Sequence, residues 1–344
     1  MSASAGDGAR KLGEKLLAEI EVEDLTSVFK ALREMQLSKS LSDASNPPLN
    51  NIFGIPDLDA LFPSPIPPIL EIVSPPPSHH LSGAGKTSLL HLIIAHAILP
   101  SSFCSIPLSG QNAAIILFDP LHHFSVPRLA SIMLHMLVSR LKEAGQAIDA
   151  DNLKSLVATT LLHVHIFRPQ SWISLLSTLR SLPDYLFDST KHKSMHRRIH
   201  SIILDDVDAF VSSIRASTST STSNTLTTAS SQLTSAVYRL TTLLSCSAVL
   251  TSQSTTPTSY RPALPLSWPQ NIHTTRLAVR RVQVLKFAPA ISVEEAEAER
   301  AQRWDVVSKG RFECWKVGVG ARDTEGFVFR VCDRGVNVEG DEKG

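Results

Sequence analysis

The stretch SGAGKTSLL (residues 82–90) follows a short apolar run, ILEIV (69–73), and opens a helical segment that ends at Pro100. A strand, a glycine-containing turn and a helix in that order place backbone N–H groups at the positive end of the helix, where they face an anion. Ser82, Gly83, Ala84, Gly85, Lys86, Thr87 and Ser88 are the candidate anion-binding residues. The glycines allow close backbone approach, Lys86 reaches toward phosphate oxygens, and the Thr87 hydroxyl suits a divalent cation. The match to G-x-x-x-x-G-K-[ST] is incomplete. His80 stands where the first glycine belongs, and SPPPSHHL (74–81) lengthens the loop. A chance lysine in a glycine-rich turn is the bland alternative, and the strand–turn–helix order speaks against it.

Outward from this turn, apolar runs alternate with helical stretches. The runs are 69–73, 113–119, 161–167, 201–206 and 247–253, and helices are expected over 86–99, 126–143, 171–187 and 231–244. Near-continuous apolar strands separated by amphipathic helices predict a parallel sheet covered on both faces. The segments 276–287, 310–319 and 326–331 read as antiparallel edge strands, because no crossover helix fits between the last two. Twelve of the fifteen residues 217–231 are Ser or Thr, which predicts a mobile loop, and SVEEAEAERAQR (292–303) reads as a solvated helix. Residues 10–35 carry an apolar helical stripe through Leu12, Leu16, Leu17, Ile20, Val28, Phe29 and Leu32, followed by a linker with Pro47 and Pro48.

Composition narrows the class. The 344 residues are 43% hydrophobic and 19% charged, enough apolar content for a large core, and the net charge of +1 excludes a uniformly basic coat. The four cysteines form no CxxC pair, so free thiols in a reducing compartment are expected. No signal-peptide core is present, and the longest apolar stretch, Leu89–Leu99, is too short to span a bilayer. The expectation is a soluble intracellular protein with no membrane partner.

Two further strands carry chemistry. SIILDDVDAF (201–210) ends its apolar run at Asp205, a carboxylate placed to hold a metal through water, while Asp206 and Asp208 share that work or serve as capping or surface acids. LTSQ (250–253) ends in Gln253, a polar group at a strand terminus.

The order of phosphate loop, aspartate strand, Gln-ended strand and edge strands resembles the RecA-type recombinase family over residues 52–332. GIPDLDALFPSPIPPILEIV (54–73) looks like the family's lead-in with its L-D-x-L element. LFDPLHHFSVPRLASIM (117–133) is similar to a family segment through Asp119, Phe124, Arg128 and Leu129 and looks most like the eukaryotic recombinase paralogues, as does GEKLLAEIEVEDL (13–25). The resemblance implies an α/β fold: a RecA-like P-loop NTPase core, a mostly parallel twisted sheet with helices on both faces and C-terminal antiparallel edge strands. It implies a helical segment and linker over 1–50, a core over 51–335 with flexible insertions at 211–231 and 289–309, and a disordered tail from 336. It also implies ATP and Mg2+ as cofactors, with Ser82 through Ser88 and Gln253 at the nucleotide and Thr87 with Asp205 at the metal.

Departures from the family pattern bear on activity. Where a family ATPase has a water-orienting glutamate, this chain has Pro120 and Leu121, so hydrolysis is expected to be weak or absent. His122 and His123 are candidate polar contacts, with ordinary surface or core histidines as the blander reading. The family's DNA loops fall at 211–231, with only Arg215 for charge, and at 254–274, with Tyr260, Arg261 and Trp268 as stacking candidates. KHKSMHRRIH (191–200) is basic. A helix there would align His192, His196 and His200, but no nearby cysteine completes a zinc set. Arg197, Arg198, Arg276 and Arg280 are the candidate DNA or partner contacts. No Phe-x-x-Ala tether lies in 36–53, which disfavours self-assembled filaments. The resemblance therefore implies a nuclear subunit in homologous recombination and DNA repair. It would form a hetero-oligomer with other recombinase paralogues, help the main recombinase onto single-stranded DNA, and hold single-stranded or branched DNA weakly by itself. A non-enzymatic scaffold with a decayed pocket and an elongator-type subunit acting on tRNA are the alternatives.

Overall fold

The computed structural model describes residues 51–62, 67–76, 84–216, 222–256, 260–270, 272, 274–282, 292–318, 325–333 and 335–339. The chain divides between Pro48 and Leu49, within the stretch read as a linker, and the unit beginning at Leu49 contains the whole of the sheet. The expected helix over 10–35 lies outside the described residues.

The elements follow from the apolar runs. β1 (Ile69–Ser74), β4 (Ala114–Phe118), β6 (Ile199–Leu204) and β7 (Ser247–Gln253) are buried nearly throughout, as strands covered on both faces must be. A two-stranded ribbon, β2 (Ser102–Phe103) with β3 (Ile106–Pro107), precedes β4. β5 (Val164–Phe167), β8 (Thr274–Arg281), β9 (Arg311–Val317), β10 (Gly326–Val331) and β11 (Val336–Glu339) complete one sheet of order β11-β10-β9-β8-β1-β7-β6-β4-β5. From β8 to β5 all neighbours are parallel, whereas β9, β10 and β11 add antiparallel ladders at one edge.

Helix placement follows from strand order. The chain crosses the sheet one way from β1 through β4 to β5 and returns from β5 through β6 to β7. Right-handed crossovers therefore put α2 (Lys86–Ile98), α3 (Val126–Glu143) and α4 (Ala150–Leu161) on one face, and α5 (Trp172–Leu186), α6 (Val211–Ala216) and α7 (Thr222–Leu244) on the other. The two apolar cores record this. Leu70, Ile72, Ile115, Leu117, Ile203 and Val249 pack with the first group, and Ile116, Phe118, Ile202, Leu204, Ala248 and Leu250 with the second. The period-two alternation along each strand sends neighbouring residues to opposite layers. In the lead-in, α1 (Pro56–Asp59) ends at a buried carboxylate, Asp59, which accepts the Phe53 and Gly54 N–H groups at 2.7 and 3.0 Å.

Four expectations are corrected. Residues 222–231, expected in a mobile loop, belong to the long helix α7. Ala229, Leu233, Val237 and Leu240 run an apolar stripe through the Ser/Thr-rich sequence, while buried Ser230 and Thr234 spend their hydroxyls on Ser267 at 2.9 and 2.7 Å. Strand β8, expected as an antiparallel edge strand, pairs parallel with β1 and antiparallel with β9. Among the described residues, the connection from β7 to β8 supplies no long helix to mark the crossover. Strand β11 occupies Val336–Glu339, where a disordered tail was expected, and pairs with β10. The insertion at 289–309 contains the helix α8 (Val293–Ser308), of which only 292–303 was read as helical. Helix α4 was not singled out at all.

Candidate functional site

Because β1, β4, β6 and β7 run parallel, their C-terminal ends lie along one edge of the sheet, which is where side chains from distant parts of the sequence converge. Ser74 ends β1, Asp119 follows β4, Asp205 and Asp206 follow β6, and Gln253 ends β7.

The turn before α2 meets this edge. Gly85 is the N-cap at φ 90°, a left-handed conformation, and a Cβ there would stand 2.7 Å from the Phe312 ring, so both backbone and packing require glycine. Ala84 precedes it, half-buried, and Ser88 lies half-buried in the first helical turn; Ser82 and Gly83 lie outside the described residues. Lys86 is 8% exposed. Its Nζ donates to Ser74 Oγ at 2.9 Å and lies 3.5 Å from Asp206 Oδ1, which compensates an ammonium that burial would otherwise penalise. Ser74 is also the register partner of Gln253, so that glutamine sits one strand away from the residue holding Lys86.

The aspartates are organised by a residue that sequence reading missed. Thr251 Oγ1 donates to Asp205 Oδ1 at 2.5 Å and accepts the Asp206 N–H at 2.8 Å, while the Thr251 carbonyl accepts from Val207. These contacts hold Asp206 at φ 53°, a conformation that aspartate tolerates better than most residues. Thr87 Oγ1 approaches Asp205 Oδ2 at 3.4 Å. Burial and the neighbouring Asp206 carboxylate push the Asp205 pKa up to about 6. Asp208 is raised by burial, and its Oδ2 accepts the Gln253 N–H at 2.9 Å. The two acids read as possible surface or capping groups are therefore part of the site, Asp206 through its carboxylate and Asp208 through the backbone of Gln253.

Two buried carboxylate oxygens, Asp206 Oδ1 and Asp119 Oδ2, have no hydrogen-bond donor among the described residues. Each has one longer ionic contact: Asp206 with Lys86, and Asp119 with Arg168 Nε at 3.5 Å. Asp119 Oδ1 accepts the His123 N–H at 2.8 Å and closes the turn after β4. His123, a candidate polar contact, brings Nδ1 to 2.8 Å from Asp206 Oδ2. Leu121 is exposed. His91 ties the floor together, with Nδ1 at 2.6 Å from the Thr87 carbonyl, Nε2 at 3.0 Å from the Ser125 carbonyl, and its ring stacked on Phe124.

Hard oxygen donors dominate here. Thr87 and Asp205 offer two such groups, a number suited to a small divalent cation that keeps most of its water and phosphate ligands. No cluster of three or more His, Cys, Asp or Glu able to hold a metal occurs among the described residues.

The other predicted contacts are engaged within the chain. Arg276 pairs with buried Glu71 at 2.7 Å, and Arg280 pairs with Glu313 at 2.9 Å and lies over the Trp315 ring. Arg197 donates to the Ile98 and Ala113 carbonyls, and Arg198 to Gln111 Oε1 at 2.5 Å. Trp268, a stacking candidate, donates its indole N–H to Glu71 at 2.7 Å, and Tyr260 is buried against Trp315. Residues 191–198 form turns rather than a helix, so His192, His196 and His200 do not align on one face. His200 instead meets the Ile52 carbonyl. The four cysteines are free, and no helix among the described residues is long and apolar enough to cross a membrane.

No protein-family model and no curated protein matches the chain.

Ser74, His91, Arg168, Thr251 and Phe312 were among the residues sequence reading missed. Only the T-S-Q end of β7 hinted at Thr251, because a threonine in a buried strand beside an aspartate strand needs a polar partner.

Proposed function

We propose that this chain is a RecA-type recombinase-paralogue subunit that binds ATP with Mg2+ and assists recombinase assembly on single-stranded DNA in the nucleus. The observation that carries the nucleotide reading is the convergence of Lys86, Thr87, Asp205 and Asp206 at the C-terminal edge of a parallel sheet, with a glycine-capped helix pointing its N-terminus there. In this reading Lys86 exchanges Asp206 and Ser74 for phosphate oxygens, and the backbone of the turn cradles the phosphates. Thr87 and Asp205 are the residues that would hold Mg2+, whose chemistry is to neutralise charge on the phosphate oxygens. Gln253 stands beside Ser74 to report on the terminal phosphate.

The strand order, in which the Gln-ended β7 separates β1 from the aspartate strand β6, supports the RecA-type assignment. The arginines expected at DNA are committed within the chain, and the net charge is near zero, which supports a subunit that leaves most DNA affinity to its partners.

The test is titration of a fluorescent ATP analogue into the full chain, with Lys86→Ala as control, joined to identification of co-purifying proteins. Binding that Lys86→Ala abolishes, together with recombinase paralogues as partners, is expected. Failure of the chain and its complexes to bind nucleotide would refute the ATP reading, and tRNA-modifying partners would refute the recombination reading.

A further inference from the structure

We propose that His123 and Asp206 form a water-activating pair, taking over the task that Leu121 cannot perform. This rests on the reading of the Lys86–Thr87 turn as an ATP site. His123 Nδ1 lies 2.8 Å from Asp206 Oδ2, and the other oxygen of the same carboxylate lies 3.5 Å from Lys86 Nζ. One carboxylate therefore separates the imidazole from the ammonium that marks the terminal phosphate.

Asp206 is buried and its backbone is pinned by Thr251, so its carboxylate is a rigid support. The His123 main chain is anchored separately through the bond from its N–H to Asp119 Oδ1. The ring itself is half-exposed, and its Nε2 has no partner among the described residues. A carboxylate accepting Nδ1–H selects the tautomer whose lone pair is on Nε2 and steadies the imidazolium that forms when it takes a proton.

The carboxylates at this edge are held within the fold: Asp119 by the His123 N–H on one oxygen and the longer Arg168 contact on the other, Asp205 by Thr251 and Thr87, and Asp208 by the Gln253 N–H. Nε2 of His123 is half-exposed and has no partner among the described residues. In the step, a water oxygen forms a bond to the γ-phosphorus while its proton passes to His123 Nε2. The bond from the γ-phosphorus to the β–γ bridging oxygen breaks, and its electron pair stays with ADP. The imidazolium then returns the proton to solvent or to inorganic phosphate. Asp206 remains a carboxylate throughout.

The experiment uses the full chain with its partners, and His123→Ala and His123→Gln variants. The glutamine keeps a donor for Asp206 but provides no base. Fluorescent-nucleotide affinity, single-turnover phosphate release and 15N-histidine NMR of the nucleotide-free chain are measured on each. Phosphate release is expected to fall about a hundredfold in both variants, with affinity held within about threefold. Added imidazole is expected to restore part of the loss in His123→Ala, and the NMR to show a hydrogen-bonded proton on His123 Nδ1. Wild-type release no faster than in Lys86→Ala, unchanged release in the variants, or a loss that imidazole cannot recover in a folded His123→Ala would each overturn the pair. Absence of nucleotide binding by the wild type would instead overturn the ATP reading itself, and the pair with it.

Discussion

Thr251→Val isolates the contact on which the acidic end of the site depends. Valine has nearly the same shape as threonine, so it opens no cavity, and it removes the hydroxyl that serves two buried groups. Asp205 Oδ1 loses a 2.5 Å donor, and the Asp206 N–H loses its acceptor at 2.8 Å. A hydrogen bond to a charged group contributes about 1.5–3 kcal/mol, and an orphaned buried N–H costs about 1 kcal/mol or more. Together these give a destabilisation of about 2–4 kcal/mol. Burial has already raised the Asp205 pKa to about 6, and the Thr251 hydroxyl is a group that holds it down. Losing that hydroxyl raises it further, so the penalty is full only above the variant's own raised pKa and shrinks as the pH falls from there toward 6, because acid protonates the folded variant first. Urea unfolding of the full chain is the assay, with a midpoint expected to fall by about 1 M at pH 7.5. A double-mutant cycle with Asp205→Asn sharpens it, because the penalty is tied to a charge that asparagine lacks. If Thr251→Val costs less than about 0.5 kcal/mol, or costs as much with Asn at 205 as with Asp, the threonine does not organise the acids as described.

Three other outcomes are expected. Gly85→Ala forces a left-handed backbone and a 2.7 Å approach to Phe312, so thermal unfolding should show a loss of about 1–3 kcal/mol; an unchanged melting temperature would contradict that packing. Arg276→Ala leaves Glu71 buried with the Trp268 indole as its one side-chain partner among the described residues, and should destabilise the fold by about 3 kcal/mol. A stable Arg276→Ala chain would return that arginine to the list of surface contacts. Burial pushes His96, His163, His165 and His200 down to about 4. Their folded forms are neutral, so between about pH 6.5 and 4 the unfolded chain binds more protons. The stability they support is complete above 6.5 and lost as the pH falls through that window. Urea midpoints that stay level from pH 7 to 4.5 would contradict it.

The sequence by itself determined the alternating architecture, the turn around Gly85–Lys86–Thr87 and the strand ending at Asp205. These are local patterns: apolar runs, helical periodicity and a glycine that permits positive φ, each contained within a few turns of chain. It misjudged residues 222–231 because serine and threonine composition outweighed a stripe of Ala229, Leu233, Val237 and Leu240 that becomes visible only when packed on the sheet. It could not order the strands, since pairing depends on contacts between segments far apart in the chain. The tertiary structure alone decided the site's inner arrangement. Lys86 meets Ser74 and Asp206, Thr251 holds Asp205, and His123 reaches Asp206 across 83 positions of sequence. The same packing turned Arg276 and Trp268 from candidate DNA contacts into partners of Glu71, because a buried carboxylate in a central strand requires donors wherever the fold can bring them.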